Sequence, residues 1–337
     1  MATSIDDVAR AAGVSTATVS RALRGLPHVT PETRELVRRT ASRLGYVPSP
    51  SAAALASGRT RTVGLVAPAI SRWFFATAFE GAEHALRAAD FDALLYSIPD
   101  TRQPRARFDP AVLRRRVDAV IVSMFLGPDE VEGLRSLGLP VVFVSVRQPG
   151  FAHVGIDDDA AADQATRHLI GLGHRVIGHI GGAKRDDTPY SPTARRRAGW
   201  RRTLADAGLE HGDDLDEAGD FTAESGGRAA AALLDRRRDL TALFVASDEM
   251  AMGAIQAVRG RGLVIGRDIS VIGVDGHNLG GLMGLTTIAQ PSYGQGARAA
   301  RFLLDALGGD YDPAAAIFFE TTLVERESTG PAPLRRR

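Results

Sequence analysis

The amino-acid sequence predicts an all-α head followed by an α/β core of two doubly wound parallel-sheet subdomains. The first 45 residues hold three helix signatures and no strand signature, whereas the chain beyond Thr62 alternates short apolar runs with helix-length stretches. The apolar runs are continuous, as in Ala119 to Val122, and this is typical of parallel strands covered on both faces. About 275 residues of this pattern are enough for two sheets rather than one.

The head carries separate start and stop signals for each of its three helices. Ser4 can cap a first helix that Gly13 ends. Ser15 can cap a second helix, and Thr30 can cap a third that ends near Gly45. Two helices joined by a tight glycine-containing turn and braced by a third form a helix-turn-helix module. An ordinary three-helix bundle without function remains the alternative from pattern alone.

The outward face of the second helix has the chemistry of a DNA reader. It presents Thr16, Ala17, Ser20 and Arg21, which are small enough at the helix start to enter a major groove. Ala17 offers a methyl group suited to thymine, and Arg21 offers a forked donor suited to guanine or phosphate. Residues 1–60 carry a net charge of +4 and the remainder −3. A basic head on a slightly acidic body is typical of a nucleic-acid reader joined to another domain.

Composition excludes several other classes of protein. The chain has no cysteine, so disulfides, thiolate metal sites and cysteine nucleophiles are ruled out. No run of 18 apolar residues predicts a membrane span, and the acidic start does not match a secretory signal, so we expect a cytoplasmic protein. The acids Asp157, Asp158 and Asp159 favour a helix N-terminus over a cation site. We expect no metal, cofactor or catalytic site, since no zinc-protease or serine-hydrolase motif occurs.

The segment from Ile5 to Leu23, IDDVARAAGVSTATVSRAL, strongly resembles the headpiece of the lactose/galactose repressor (LacI/GalR-type) family of bacterial transcriptional regulators. The likeness continues over essentially the whole chain, through LGYVP at 44–48, SDEMAMG at 247–253, SVIGVD at 270–275 and LTTIAQP at 285–291. This resemblance implies a core similar to the periplasmic sugar-binding proteins. It also implies a homodimer that binds a near-palindromic double-stranded DNA operator.

The resemblance divides the chain into four parts. They are a DNA-binding head at 1–48, a hinge helix and linker at 49–61, an effector-binding and dimerisation core at 62–330, and a disordered tail at 331–337. A hinge helix this short is marginal in water without a partner. We therefore expect an effector in the core to change the orientation of the two subdomains and so to form or dissolve the paired hinge helices.

The family pattern implies DNA contacts from ten residues: Ser4, Ser15, Thr16, Ala17, Thr18, Ser20, Arg21, His28, Thr33 and Leu55. Leu55 matches a leucine that wedges into the minor groove and bends the duplex, at a cost of a few kcal/mol. Two departures occur in the hinge, where Ser49 and Ala53 replace the family's usual Asn and Arg, so one minor-groove charge is missing. Arg59 and Arg61 could contact phosphates or could equally be solvated linker.

The same pattern implies effector contacts from eight residues of the core: Phe74, Phe75, Arg196, Phe221, Ser247, Asp248, Asp275 and Gln290. A sugar has hydroxyls that suit a carboxylate and a guanidinium, and an apolar ring face that suits an aromatic side chain. For each residue a structural role is the alternative: Asp275 could cap a turn, Arg196 could pair on the surface, and the phenylalanines could belong to the core.

Three classes of function fit these observations. The prediction is a ligand-controlled transcriptional regulator, a repressor with a sugar effector. An exported solute-binding protein and a sugar-processing enzyme could have the same core. The lack of a signal sequence argues against the first alternative, and the lack of a nucleophile with its base argues against the second.

Overall fold

The computed structural model describes residues 3–47, 58–98, 108–183 and 188–333. The chain divides into two compact units, and the boundary between them in the sequence lies between Arg61 and Thr62. The expected hinge helix, including Ser49, Ala53 and Leu55, lies outside the described residues. Among the helices that are described, none has the length and hydropathy needed to cross a membrane.

The first unit contains three helices whose start signals are as predicted. The Ser4 hydroxyl accepts from the Asp7 amide while the Asp7 carboxylate accepts from the Ser4 amide, which completes a capping box. Ser15 and Thr30 cap the next two helices. Val8, Val19 and Val37 meet in a small core, so the polar faces point outward. The helices are α1 (Ile5–Ala12), α2 (Thr16–Leu23) and α3 (Pro31–Arg43).

The second unit alternates strands and helices along most of its length. Its first half contains β1 (Thr62–Ala67), α4 (Trp73–Ala88), β2 (Asp92–Ser97), a 3-10 turn (Pro110–Leu113), β3 (Ala119–Val122), α5 (Pro128–Ser136), β4 (Val141–Val144) and β5 (Ala152–Ile156). There follow α6 (Asp158–Gly171), β6 (Ile177–Gly181), α7 (Pro192–Asp206), a 3-10 turn (Asp213–Leu215), β7 (Asp216–Ala218), α8 (Ala223–Arg236), β8 (Ala242–Val245) and α9 (Asp248–Arg259). The chain ends with β9 (Ser270–Asp275), α10 (Gly280–Met283), β10 (Thr286–Ala289), α11 (Ser292–Leu307), β11 (Ala316–Phe319) and β12 (Thr322–Val324).

These strands form two six-stranded sheets, which confirms the predicted pair of doubly wound subdomains. The N-terminal subdomain has the strand order β11-β5-β4-β3-β1-β2, and all its pairs are parallel. The C-terminal subdomain has the order β12-β10-β9-β8-β6-β7, in which β12 alone pairs antiparallel. Each sheet is covered by helices, and its buried strands are continuous apolar runs.

The chain passes between the two subdomains three times. The first crossover is at Asp157, between β5 and α6; the second is at Gln290 and Pro291, between β10 and α11; the third is at Glu320 and Thr321, between β11 and β12. Because α11 and β11 return to the first sheet, each subdomain is built from two separate stretches of sequence.

The C-terminal end differs from the expected disordered tail. The Ala332 amide donates to the Leu172 carbonyl at 2.8 Å, so residues 331–333 lie against the C-terminal subdomain. Residues 334–337 are outside the described part of the chain.

Candidate functional site

A cavity of about 280 Å³ lies between the two subdomains of the core. Its walls come from the carboxyl ends of strands in both sheets: Ser123 follows β3, Ser247 follows β8, and Gln290 follows β10. In open α/β sheets this edge is where ligands bind. The cavity is slightly smaller than the roughly 300–1,000 Å³ common among ligand pockets. It therefore suits a small molecule held between the two subdomains.

The cavity brings together seven of the eight residues that the sequence predicts to bind an effector. They approach from both subdomains, and the set comprises Phe74, Phe75, Arg196, Phe221, Ser247, Asp275 and Gln290. Arg196 and Asp275 form the polar floor, since both are buried and face the cavity. On the opposite wall, the rings of Phe74 and Phe75 pack edge to face with their centroids 5.6 Å apart.

Asp248 is the exception. The sequence predicts that it lines the cavity, and this prediction is wrong. Its carboxylate is fully buried and accepts from the Thr287 hydroxyl and the His277 amide, both at 2.7 Å. Burial raises the pKa of Asp248, and the His277 amide and Thr287 hydroxyl oppose that shift. The side chain is drawn beneath the strand ends because these donors lie there. Asp248 therefore supports the turn after Asp275 and does not line the cavity.

Arg196 is held in the floor by acceptors on two sides. Its Nε donates to Asp158 Oδ1 at 2.8 Å, and its Nη1 donates to the Ala246 carbonyl. Asp275 Oδ1 lies 4.0 Å from Nη1. Burial raises the pKa of Asp158, and the Arg196 guanidinium opposes this. A buried guanidinium needs such partners, because an uncompensated charge in the interior costs several kcal/mol.

The three consecutive acids on α6 thus have different roles. Asp157 caps the helix by accepting from the amides of Asp159 and Ala160, as the sequence predicts. Asp159 pairs with Arg195 at 2.5 Å on the surface. Asp158 faces inward to Arg196, a contact that the sequence did not indicate.

Asp275 is oriented by its own neighbours at the end of β9. Gln290 Nε2 donates to its Oδ1 at 2.7 Å, and Gln295 Nε2 donates in turn to Gln290 Oε1 at 2.8 Å. Burial raises the pKa of Asp275; Arg196 opposes the shift and Asp248 adds to it. The carboxyl group is therefore a poor place for a further negative charge and a good acceptor for a hydroxyl.

Three of the seven non-glycine residues with positive φ in the described chain line the cavity. Three lining residues other than glycine have positive φ angles: Ser145 at 69°, Phe221 at 54° and Asp275 at 132°. Such conformations cost about 1–3 kcal/mol each and persist mainly where function requires them. The Phe221 ring also needs Gly182, since a Cβ there would stand 2.3 Å from its Cε2. The strain supports a binding role for this edge of both sheets.

One rim of the cavity is bridged by residues that the sequence did not indicate. Arg72 Nη1 donates to the Asp220 carbonyl at 2.6 Å, and the Trp73 amide donates to Glu249 Oε1 at 3.2 Å. The Trp73 ring also lies 5.0 Å from the His277 ring. The rule that loops after parallel strands line the ligand site would have found this stretch, because it follows β1.

In the head, three of the ten residues predicted to contact DNA form an open face on α2. Thr16, Ala17 and Arg21 are exposed there, with Ser20 half-buried beside them. His28 is also exposed and has a φ of 67°, an uncommon backbone conformation for a side chain of its size.

The remaining predicted DNA contacts in the described head already take part in helix caps. Ser4 caps α1; the Ser15 hydroxyl bonds that of Thr18 at 2.9 Å; and Thr33 bonds Thr30 at 3.1 Å. Their hydroxyls can still reach a phosphate at a helix N-terminus. Leu55, the tenth predicted contact, lies outside the described residues.

The arrangement offers binding chemistry. His179 and Asp216 are joined at 2.8 Å, yet His179 is buried beneath Trp200 and does not line the cavity. Among the ranges that the structure describes, no cluster of three or more histidines, cysteines or acids could hold a metal ion. The residues that line the cavity include two arginines, three acids, Gln290, several serines and several aromatic residues.

Comparison with known proteins gives consistent matches along the chain. Residues 4–49 match the model for bacterial regulatory proteins of the lacI family, and residues 166–329 match the periplasmic binding protein-like domain. The chain is 34% identical over 334 residues to catabolite control protein A of Priestia megaterium, with 98% of this chain and 100% of that protein covered. It is 33% identical over 338 residues to the HTH-type transcriptional regulator CelR of Thermobifida fusca, with 96% and 97% covered.

Solved structures agree with these matches. A Lac repressor dimer bound to operator and the anti-inducer ONPF superposes with a TM-score of 0.86 at 25% identity, covering 98% of this chain and 100% of that one. A complex of the transcriptional regulator CelR with cellobiose superposes with a TM-score of 0.73 at 32% identity, covering 97% and 99%.

Proposed function

The chain belongs to the lacI family of bacterial regulatory proteins, and from this premise we propose that it is a repressor that binds a near-palindromic operator as a homodimer and responds to a sugar in the core cleft. Like its relatives, it is a DNA-binding transcriptional regulator and not an enzyme. The observation that carries the proposed effector role is the buried pair of Arg196 and Asp275 facing a ligand-sized cavity.

The geometry of that pair suits a hydroxyl group. An oxygen between Arg196 Nη1 and Asp275 Oδ1, which are 4.0 Å apart, can accept from the guanidinium and donate to the carboxylate. An anionic oxygen cannot donate, and the carboxylate repels it. Phe221 supplies a ring on which the apolar face of a pyranose can stack. The similar CelR complex contains cellobiose, which supports the sugar class.

DNA binding is proposed to rest on α2. Its exposed start is small enough for a major groove, and Arg21 follows one turn later on the same face. A homodimer presents two such helices to half-sites about one helical turn apart. The similarity to a Lac repressor dimer on its operator supports this arrangement.

We propose that the sugar acts by changing the relative orientation of the two subdomains. That change alters the spacing of the two hinge segments of the dimer, whose helices are too short to persist alone. A coupling of about 1–3 kcal/mol between cleft and operator is enough to change occupancy several-fold to about a hundredfold. The wedge role of Leu55 stays a prediction.

The test is a binding screen with uncharged sugars, including D-glucose, D-galactose and cellobiose, on the wild type and Asp275→Asn. A sugar that binds the wild type should lose at least about tenfold in affinity in the variant, because a charged hydrogen bond is removed. The matched control is Asp305→Asn, an exposed acid on α11 that does not line the cavity.

A second measurement uses DNA selected from a random library by the wild-type protein. Asp275→Asn should bind that DNA as tightly as the wild type while its response to the sugar is lost. Full sugar response in Asp275→Asn would contradict the proposed effector site, and binding of all DNA sequences with equal affinity would contradict the proposed operator reading.

A further inference from the structure

An unbroken chain of polar contacts runs through the floor of the cleft. Asp158 accepts from Arg196 at 2.8 Å, Arg196 lies 4.0 Å from Asp275, and Asp275 accepts from Gln290 at 2.7 Å. All four residues are buried. Within the described residues no hydrogen bond joins Asp158 to Gln290 directly. In this series of contacts, Asp158 and Gln290 are linked through Arg196 and Asp275.

The two ends of this chain of polar contacts, Asp158 and Gln290, lie at two of the three crossovers between subdomains. Asp158 is the first residue of α6, immediately after the first crossover, and Gln290 lies in the second. These two positions are 132 residues apart in sequence. Gln295 adds one more hydrogen bond to this chain of polar contacts, and it lies on α11, which packs in the N-terminal subdomain. The polar chain therefore ties both crossovers to the cleft floor.

The third crossover is anchored by a different kind of contact. Phe319 packs against the hydrophobic cores of both subdomains, and the Thr321 hydroxyl adds one long hydrogen bond of 3.4 Å to Gln164 Oε1, so this crossover is held mainly by apolar packing. Apolar packing of this kind is not directional and tolerates small rotations better than a set of charged hydrogen bonds does. The first and second crossovers are thus the ones joined by polar contacts to Arg196 and Asp275.

We propose that Asp158 and Gln290 are positioning residues that link occupancy of Arg196 and Asp275 to the geometry of the first and second crossovers. A ligand hydroxyl between Arg196 and Asp275 redistributes the bonds of both, and Asp158 and Gln290 follow because they are hydrogen-bonded directly to these two side chains. Both crossovers then change together. This inference rests on the proposed function, since it takes the ligand to contact Arg196 and Asp275.

A double-mutant cycle tests the link without sugar or DNA. Asp158→Asn and Gln290→Ala are measured singly and together by urea unfolding of the full-length protein. Linked residues should give a double variant less destabilised than the two single effects predict, by a factor of about 2 to 100 in the unfolding equilibrium constant. The control cycle pairs Gln290→Ala with Asp163→Asn, an acid on the same helix that bonds Thr203 and Arg167 instead, and it should be additive.

Hydrogen exchange of the single variant Gln290→Ala gives a second reading that leaves Asp158 unchanged. Amides of residues 156–162 at the first crossover should exchange several-fold faster than in the wild type, while those of α8, residues 223–236, should not change. Additive effects in the first cycle, or unaltered exchange at the first crossover, would overturn the proposal. A failed sugar screen would contradict the ligand class alone, because neither experiment here contains a sugar.

Discussion

Arg196 illustrates how a binding group is kept ready inside a protein. Burying a guanidinium is costly unless its hydrogen bonds are satisfied, and Asp158 and the Ala246 carbonyl satisfy two of them. The side chain is therefore fixed before any ligand arrives, so that little conformational entropy is lost on binding. The same contacts explain why the acid at 158 belongs to the site although it does not line the cavity.

The sequence predicted which residue types line the cleft better than it predicted where each side chain points. Residues within two positions of a strand end, such as Ser247 and Gln290, lie at the cavity because strand ends converge there. Asp248 follows Ser247 immediately, yet its side chain turns toward Thr287 and His277. Side-chain direction depends on donors contributed by distant strands, and no local pattern contains that information.

Arg21 gives a prediction about base reading. Arg21→Ala should weaken binding to DNA selected from a random library by about 1–3 kcal/mol and should relax the base preference at one position of each half-site. Its affinity for random DNA should fall much less. Quantitative gel-shift titration with both DNAs at one fixed salt concentration measures the two losses.

The control for Arg21 is Arg39→Ala, which removes the same charge from an exposed position on α3. It should lower the affinity for selected and random DNA by similar small factors, because it has no base to read. Equal losses on the two DNAs in Arg21→Ala would show that Arg21 contacts phosphate and not a base.

His153 on β5 gives a prediction about pH. Burial lowers its pKa from an ordinary value near 6.5 to about 4; the Ser145 backbone opposes this, and Arg147 and Arg195 add to it. Below pH 6.5 His153 therefore binds a proton in the unfolded chain but not in the folded chain. The free energy of unfolding falls as the pH falls toward 4. Between pH 7 and 4.5 this loss amounts to about 2–3 kcal/mol.

His153→Leu should remove that loss. Urea unfolding at pH 7 and at pH 4.5 should show the variant gaining about 2–3 kcal/mol on the wild type as the pH is lowered, because the remaining titrating groups are common to both proteins. A difference between variant and wild type that is the same at both pH values would contradict this account of His153.

At the scale of elements, caps and long apolar runs were predictable and short strands were not. Ser4, Ser15 and Thr30 cap their helices because the local sequence supplies both partners. Apolar runs in the sequence predict β1, β2, β3, β4, β6, β8 and β9, but they do not predict β5, β7, β10, β11 and β12. β7 and β12 have only three residues each, and β5 is interrupted by His153 and Gly155. None of these three strands therefore has an extended apolar run. Their pairing comes from neighbouring strands in the sheet.

The packing of α4 on α11 depends on a glycine and gives a prediction at this scale. A Cβ at Gly296 would stand 1.7 Å from the Ala78 carbonyl oxygen, which belongs to the helix backbone and cannot rotate away. Gly296→Ala must therefore separate the two helices and should lower the free energy of unfolding by about 1–3 kcal/mol or more. Thermal and urea unfolding measure the loss.

Gly171 is the matched control, because it also lies within a helix, α6, but has no atom within 4 Å of its added Cβ. Gly171→Ala should leave stability unchanged or raise it by up to about 1 kcal/mol, through the better helix propensity of alanine. If Gly296→Ala were as harmless as Gly171→Ala, the close approach of the two helices would not be needed.

At the scale of the whole molecule, the sequence predicted two sheets but not which strands each contains. The order along the chain suggests two successive subdomains, whereas α11 and β11 return to the first sheet after the second is complete. The return is decided by which apolar faces remain uncovered, and this is a property of the assembled core. The three crossovers, and with them the polar chain from Asp158 to Gln290, follow from that return.

The apolar surface of the C-terminal subdomain bears on the proposed homodimer. Leu282 on α10 is 85% exposed and Leu279 just before it is 49% exposed. Neighbouring exposed apolar side chains are a feature of association surfaces. A second copy is the occupant expected here, since the chain superposes on a Lac repressor dimer at a TM-score of 0.86.

Leu282→Glu should therefore weaken self-association by at least about tenfold, because a charge introduced at the buried centre of an interface is costly to desolvate. Sedimentation velocity over a range of protein concentrations measures the dimer fraction, and circular dichroism checks that the fold is retained.

The control is Val264→Glu, since Val264 is 43% exposed on the same subdomain but lies apart from α10 in sequence. Because two half-sites must be bound together, Leu282→Glu should also lose operator affinity in proportion to the lost dimer. A variant that remains fully dimeric at nanomolar concentration would show that the two copies meet on another surface.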